Sequence, residues 1–216
     1  MTNPDYTAVM LLIDRSGSMH KIRVSAEDAI NEFIVGQSKA PGKRTIRITQ
    51  FDTDHHSGGP VFDDTVAVST DAADVPPFQL SPRGGTPLLD AIGYAINVFG
   101  KELESLPEHQ RPGTAILAIM TDGHENSSRE YTWPMVKELI ERHEREFGWA
   151  VLYLAANQDA IEVGAKMGVP AHHTITYRAS DAGTRSVVGA MTEYVAAAAS
   201  GQPAGFTDKQ RRDAAE

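Results

Sequence analysis

Three short, largely apolar segments most constrain how this chain can fold. They occupy residues 8–13, 114–121 and 149–156, and stretches with apolar residues at helical spacing lie between them. Short and uniformly apolar strands are typical of parallel sheets that helices cover on both faces. The alternation of such strands with helices therefore predicts a doubly wound α/β domain, whose ligands bind at the carboxyl ends of the strands.

Three further segments complete the predicted sheet. Residues 45–51 alternate between apolar and polar side chains, and residues 174–177 indicate a weak final strand. Residues 61–68 follow the second strand too soon for a helical crossover, which favours an antiparallel hairpin at the sheet edge. We therefore expect a mostly parallel six-stranded sheet with one antiparallel edge strand. Helices on both of its faces are predicted at residues 22–34, 87–103, 134–147, 160–167 and 181–199.

Composition excludes several functional classes. The chain has 216 residues and no cysteine, so disulfides, thiolate nucleophiles and cysteine-based zinc sites are absent. A formal net charge of -9 disfavours general nucleic-acid binding, which needs Lys and Arg to neutralise phosphates. The sequence shows neither an apolar run of the roughly 18 residues that a membrane span needs nor a signal peptide, and we expect a cytoplasmic location. We assign residues 1–200 to a single domain and interpret residues 201–216 as a polar, flexible C-terminal tail.

Polar segments stand where a ligand site of such a sheet would lie. Residues 14–18 (Asp-Arg-Ser-Gly-Ser) follow the first strand, residues 121–123 (Thr-Asp-Gly) end a central strand, and residues 84–86 (Gly-Gly-Thr) precede a helix. Because the carboxyl ends of parallel strands meet at one edge, we expect these segments to lie together. They would bring two carboxylates and three hydroxyls to that edge, from Asp14, Asp122, Ser16, Ser18 and Thr86.

This set of side chains indicates a hard divalent cation. Carboxylate and hydroxyl oxygens suit Mg²⁺, Mn²⁺ or Ca²⁺ better than zinc. Few carboxylates leave the cation only partly neutralised, and Mg²⁺ keeps water-filled positions that a carboxylate of another molecule can occupy. The alternative is an ordinary helix N-cap, in which the serines satisfy backbone amides.

The pattern Asp-x-Ser-x-Ser, followed by a distant Thr and a distant Asp, resembles the metal-ion-dependent adhesion site of von Willebrand factor A domains, which have a Rossmann-like fold. The matching residues, without departure from the pattern, are Asp14, Ser16, Ser18, Thr86 and Asp122. The resemblance covers residues 7–200. It implies that the three hydroxyls contact the metal directly, and that the two carboxylates act largely through water. Shorter segments are similar to small stand-alone A-domain proteins of bacteria and phages, whose role is largely unassigned.

Several other residues are candidates for the rim of the site or for groups that orient metal-bound water. They are Asp52, His124, Glu125 and Asn126. A loop cap is the alternative for Asp52, and a loop-holding contact is the alternative for Asn126. We expect Arg15, within the metal-binding segment, to point outward, where it would attract an acidic partner.

Conspicuous residues elsewhere favour structural roles. The adjacent histidines at 55–56 and 172–173 are interpreted as solvated loop residues, because neither pair has helical spacing with a third ligand. Residues 157–159 (Asn-Gln-Asp) predict a turn and a helix cap above the sheet, and a contact at the rim of the site is the alternative. We expect Tyr131 and Trp133 to pack at the start of a helix.

We interpret the chain as a binding module that captures an Asp or Glu side chain of a partner protein through a divalent cation, with no part for nucleic acid or membrane. The alternative is a Mg²⁺-dependent hydrolase or phosphotransferase that uses the same site. His20 or His124 would be its base, but no phosphate-binding loop or nucleophile motif accompanies them. A nucleotide-binding Rossmann domain is disfavoured because the Gly-x-Gly-x-x-Gly turn is missing. A homo-oligomer, in which one copy's carboxylate reaches another copy's metal, stays open.

Overall fold

A six-stranded sheet forms the centre of the protein in the computed structural model, which describes residues 2–156 and 158–216. The strands are β1 (Asn3–Asp14), β2 (Lys43–Thr53), β3 (Pro60–Asp71), β4 (Pro112–Thr121), β5 (Ala150–Ala156) and β6 (Thr174–Tyr177). They lie in the order β3-β2-β1-β4-β5-β6. Neighbouring strands are parallel except β2 and β3, which form an antiparallel hairpin at one edge. The predicted fold class is thus confirmed.

Helices cover both faces of this sheet. They are α1 (Arg23–Ser38), α2 (Leu88–Ser105), α3 (Trp133–Phe147), α4 (Ala160–Lys166), α5 (Asp181–Ala199) and α6 (Asp208–Ala215). In residues 2–156 and 158–216, none of them combines the length and the apolar character that a membrane crossing requires. Helices α1 and α5 share one apolar core with the sheet, and α2 and α3 share the other.

Strand β1 shows why the strand segments are uniformly apolar. Its successive side chains alternate between the two cores: Leu11 packs on the side of α1 and α5, whereas Met10 and Leu12 pack on the side of α2 and α3. All three are fully buried. A strand with a core on each face has no solvent side, so the usual alternation with polar residues disappears.

The C-terminal segment differs from the predicted flexible tail. Residues 208–215 form α6, which packs against α5 and β6. Ala214 is fully buried, and its carbonyl accepts a 2.8 Å hydrogen bond from the amide of Arg178. Thr207 and Gln210 form a reciprocal capping box at the start of the helix. The composition of this segment is polar because one small apolar face suffices to dock so short a helix.

The register of the two central strands places the expected site. Ile13 of β1 pairs with Met120 of β4, so that the next residues, Asp14 and Thr121, lie side by side at the carboxyl edge. The loops that contain residues 14–18 and 121–123 therefore leave the sheet at the same point.

Candidate metal centre

The segments that carry the predicted ligands meet above the carboxyl ends of β1 and β4. Ser18 Oγ donates a 2.6 Å hydrogen bond to Oδ1 of Asp122, and the hydroxyl oxygens of Ser16 and Ser18 lie 3.1 Å apart. Asp14 Oδ1 accepts a 2.7 Å hydrogen bond from the amide of Ser16. Four of the five predicted residues are thus connected through hydrogen bonds or short oxygen–oxygen contacts.

A small space beside Gly123 brings in the fifth residue. The position that a Cβ atom on Gly123 would occupy lies 3.0 Å from Thr86 Oγ1, 3.5 Å from Ser18 Oγ and 3.7 Å from Asp14 Oδ2. Hydroxyl and carboxylate oxygens from two loops therefore converge on one point beside the third loop. This donor set fits a hard divalent cation. In residues 2–156 and 158–216, no three His, Asp or Glu side chains lie together as a metal cluster, so hydroxyls are needed to complete a coordination shell.

We call the group of Asp14, Ser16, Ser18, Thr86 and Asp122 the cradle. Its two carboxylates are held away from water. Asp14 is fully buried and Asp122 is 4% exposed, whereas Ser18 is exposed. Burial raises the pKa of Asp14 to about 7, although hydrogen bonds from Thr121 and Ser16 oppose the shift and the nearby charge of Asp122 adds to it. Burial also raises the pKa of Asp122. A cation between these carboxylates would offset the cost of burying their charges.

Two glycines shape the loop that carries Thr86. Gly84 has a φ of 65°, in the left-handed region, and a Cβ atom there would lie 2.4 Å from the carbonyl oxygen of Thr53. The carbonyl of Gly84 accepts a 3.1 Å hydrogen bond from the amide of Gly17, within the first ligand loop. The Gly-Gly sequence thus lets this loop pack against the end of β2 and bring Thr86 beside Ser18.

Arg15 differs from the expectation that it points outward. Its side chain is buried, and its guanidinium donates to Oδ1 of Asp52 at 2.9 Å and to Oδ2 of Asp63. Asp52 in turn is fully buried and also accepts from Nε of Arg83. Asp52 is therefore neither a simple loop cap nor a direct neighbour of the metal cradle, because arginine side chains take up both of its oxygens.

The predicted rim residues have different roles in the structure. Asn126 Oδ1 accepts a 2.9 Å hydrogen bond from the amide of Thr86, and the amide of Asn126 donates back to the Thr86 carbonyl at 3.2 Å. Glu125 accepts from the amide of Leu89, in the first turn of α2, at 2.9 Å and from two amides of its own loop. Asn126 and Glu125 therefore fasten the third loop to the start of α2. His124 is exposed at the rim.

Two side chains hold the third loop and were not predicted from the sequence as site residues. Thr121 Oγ1 donates to Asp14 Oδ2 at 2.6 Å. Gln158 Nε2 donates to the carbonyl of Gly123 at 3.0 Å and to the hydroxyl of Tyr153 at 3.0 Å. The position of Thr121, next to Asp122 at the end of a strand, was a usable signal for its role. The contact of Gln158 with Gly123, 35 residues away, corresponds to the rim contact that is the alternative for residues 157–159.

The remaining conspicuous residues are structural. His173 lies 3.4 Å from Glu144 and hydrogen-bonds Tyr194 at 2.8 Å. Asp159 caps α4, as the sequence predicts, whereas Asn157 of the same turn lies outside the described residues. Tyr131 packs over Gly93 of α2.

Solved structures of low sequence identity share this architecture. No protein-family model and no curated protein matches the chain. A von Willebrand factor type A protein from Catenulispora acidiphila superposes with a TM-score of 0.57, at 16% identity over 88% of this chain and 42% of that one. This chain has the von Willebrand factor type A fold.

Two further solved structures superpose on the same fold. Proximal thread matrix protein 1 of the mussel byssus, described with a zinc-occupied MIDAS motif, superposes with a TM-score of 0.57, at 12% identity over 90% of this chain and 46% of that one. The pilus adhesin SpaC of Lactobacillus rhamnosus GG gives a TM-score of 0.59, at 10% identity over 88% of this chain and 30% of that one. The von Willebrand factor type A fold of this chain thus spans less than half the length of these structures.

Proposed function

We propose that this chain is a metal-dependent protein-binding module, in which a divalent cation takes up an Asp or Glu side chain of a partner protein. The observation that carries the proposal is the convergence of Thr86 Oγ1, Ser18 Oγ and Asp14 Oδ2 on the space beside Gly123. The residues proposed to hold the cation are Asp14, Ser16, Ser18, Thr86 and Asp122.

Each part of the cradle has a distinct task in this proposal. Asp14 is buried and fixed through both of its oxygens, so it supplies negative charge from below. Ser18 is exposed, so the cradle opens to solvent on its side. A bound divalent cation would keep water-filled coordination positions toward this open side, and an incoming carboxylate could occupy them.

The choice of cation follows from the donors. Oxygen ligands alone favour Mg²⁺ or Mn²⁺, and Ca²⁺ is compatible with them, whereas zinc prefers nitrogen and sulfur. The mussel protein with a zinc-occupied MIDAS motif supports a divalent cation at a site of this kind. Competition by Mg²⁺, Ca²⁺ and Zn²⁺ against a spectroscopic Mn²⁺ probe identifies the metal that this chain prefers.

The first experiment measures Mn²⁺ binding by electron paramagnetic resonance. We expect one Mn²⁺ per chain, displaced by Mg²⁺, and a large loss of affinity in the double variant Ser16→Ala/Ser18→Ala. The matched control is Ser38→Ala, because Ser38 is a serine at the end of α1 whose hydroxyl donates to the Val35 carbonyl of the same helix. Equal Mn²⁺ binding by the site variant and the control would overturn the proposed metal site.

The second experiment tests carboxylate capture with the Mn²⁺-loaded protein. Water-proton relaxation reports the water molecules on bound Mn²⁺, and a carboxylate that binds the metal displaces them. We expect an Asp-containing peptide to lower the relaxation enhancement, and the same peptide with Asn to leave it unchanged. No difference between the two peptides would count against carboxylate capture while leaving metal binding intact. Affinity capture in Mg²⁺ and in chelator then identifies the partner.

A further inference from the structure

The carboxyl end of β2 contributes no proposed ligand, yet two ligand loops are fastened to it. The carbonyl of Phe51 accepts a 2.8 Å hydrogen bond from the amide of Arg15, in the first loop. Thr53 Oγ1 accepts a 2.7 Å hydrogen bond from the amide of Gly85, in the second loop. Residues on either side of Asp52 therefore each accept a hydrogen bond from a backbone amide of one ligand loop.

Asp52 joins the same two loops through side chains. Its Oδ1 accepts from Arg15, which stands between two proposed ligands, and its Oδ2 accepts from Arg83, three residues before Thr86. The amide of Arg83 also donates to the carbonyl of Arg15 at 2.7 Å. One fully buried carboxylate thus links the first and second ligand loops directly.

The two arginine charges around Asp52 are compensated by neighbouring carboxylates. Arg15 and Arg83 face Asp52 and Asp63, and Asp54 adds a further negative charge near Arg83. The group therefore forms no positive patch for an acidic partner, and its effect is internal. Loss of the Asp52 charge leaves the buried Arg15 with Asp63 alone, which is half-exposed, and frees Arg83. A buried charge that loses its partner is costly, so the loops are expected to rearrange.

We propose that Asp52 is a positioning residue of the metal site, which acts through Arg15 and Arg83 to keep the two loops at the separation where their oxygens share one cation. This inference rests on the proposed function. Mg²⁺ and Mn²⁺ tolerate little deviation from ideal ligand distances, so a small displacement of Thr86 relative to Ser18 weakens binding.

The test compares Asp52→Asn with a matched carboxylate variant on the same hairpin. Asp64 pairs with the buried Arg47 and accepts from Thr49 and Tyr94, and none of these residues lies in the ligand loops. We expect Asp52→Asn to weaken Mn²⁺ binding by about 10- to 100-fold, as the loss of an orienting partner does at other metal sites. Asp64→Asn is expected to lower the melting temperature but to change the Mn²⁺ dissociation constant by no more than about twofold. The reason is that Asp64 and the metal site share no interaction partners, so their effects are independent.

A second variant keeps the proposal testable if Asp52→Asn does not fold. Arg83→Met removes a half-exposed side chain and leaves the buried pair of Arg15 and Asp52 in place. We expect it to weaken Mn²⁺ binding, and the double variant Asp52→Asn/Arg83→Met to bind no more weakly than Asp52→Asn alone. Wild-type affinity in folded Asp52→Asn, or in Arg83→Met where Asp52→Asn fails to fold, would overturn the inference. Failure of the wild type to bind Mn²⁺ would instead overturn the proposed function, and the inference with it.

Discussion

Thr121 Oγ1 donates a hydrogen bond of 2.6 Å to Oδ2 of Asp14, and both side chains are fully buried. The bond joins the ends of β1 and β4, the two central strands, at the point where the proposed ligand leaves the sheet. The other oxygen of Asp14 accepts from the amide of Ser16. Asp14 is thus oriented by two elements at once, a neighbouring strand and its own loop, before any cation is bound.

Thr121→Val keeps the shape of this side chain and removes its donor. We expect a loss of about 1–3 kcal/mol in the free energy of unfolding, because a buried acceptor loses its partner. We also expect Mn²⁺ binding to weaken by about tenfold, since the carboxylate is no longer oriented. Thr121→Ser, which keeps the hydroxyl, is expected to retain most of both properties. Urea denaturation and Mn²⁺ titration measure the two effects, and equal behaviour of the Val and Ser variants would argue against an orienting bond.

Gly123→Ala tests the space in which the oxygens converge. The added methyl group would lie 3.0 Å from Thr86 Oγ1 and 3.5 Å from Ser18 Oγ, so it would protrude into the space beside Gly123 that is proposed for the cation. The φ of Gly123 is not positive, so alanine fits the backbone there. We therefore expect the variant to fold and to lose Mn²⁺ binding, as measured by circular dichroism and electron paramagnetic resonance.

The control for this substitution is Gly36→Ala. Gly36 lies in the exposed part of α1, and a Cβ atom there meets nothing within 4 Å. Alanine in a helix interior is expected to raise the free energy of unfolding by about 0.5–1 kcal/mol, with Mn²⁺ binding unchanged. Full Mn²⁺ affinity in Gly123→Ala would place the cation elsewhere.

The raised pKa of Asp14 predicts that the proposed metal binding depends on pH. Its value of about 7, against 3.8 for an ordinary Asp, means that the folded protein holds this proton more tightly than the unfolded chain. Without metal, ionisation of Asp14 therefore lowers the free energy of unfolding as pH rises from about 4 to about 7. Above that range the free energy falls no further on account of this group. Because the cation must displace the proton, we expect Mn²⁺ affinity to fall about tenfold per pH unit below about pH 7 and to level off above it. A flat profile between about pH 5 and about pH 8 would contradict this, and Asp14→Asn should show little slope.

The types and positions of residues in the sequence predicted the fold, and with it the meeting of the proposed ligands at one sheet edge. Particular residues show the physical reasons. Met10 and Leu11 point to opposite cores, which explains why residues 8–13 of β1 are all apolar. The side chain of Arg15 points inward, against the expectation from the sequence, because its partners Asp52 and Asp63 lie 37 and 48 residues away. The contact of Glu125 with the amide of Leu89 also joins distant parts of the chain, so no local pattern predicts it. Local patterns predict strands and ligand types, whereas long-range ion pairs decide where charged side chains point. Metal ligation by the five residues stays a prediction.

The docking of α6 predicts a sharp contrast between two adjacent alanines. Ala214 is fully buried on the inner face of α6, whereas Ala215 is exposed. Arg211 of the same helix donates to the carbonyls of Thr174 and Ala171, so α6 covers the outer edge of β6. Ala214→Asp places a carboxylate in an apolar contact and is expected to cost about 1–3 kcal/mol or more, undocking the helix. Ala215→Asp is expected to change the free energy of unfolding by less than about 0.5 kcal/mol, as surface substitutions do.

Amide exchange measured by mass spectrometry tests whether α6 covers the edge of β6. We expect faster exchange in residues 174–177 of Ala214→Asp alone, because its strand edge is uncovered. Equal exchange in both variants would mean that the segment does not hold this edge.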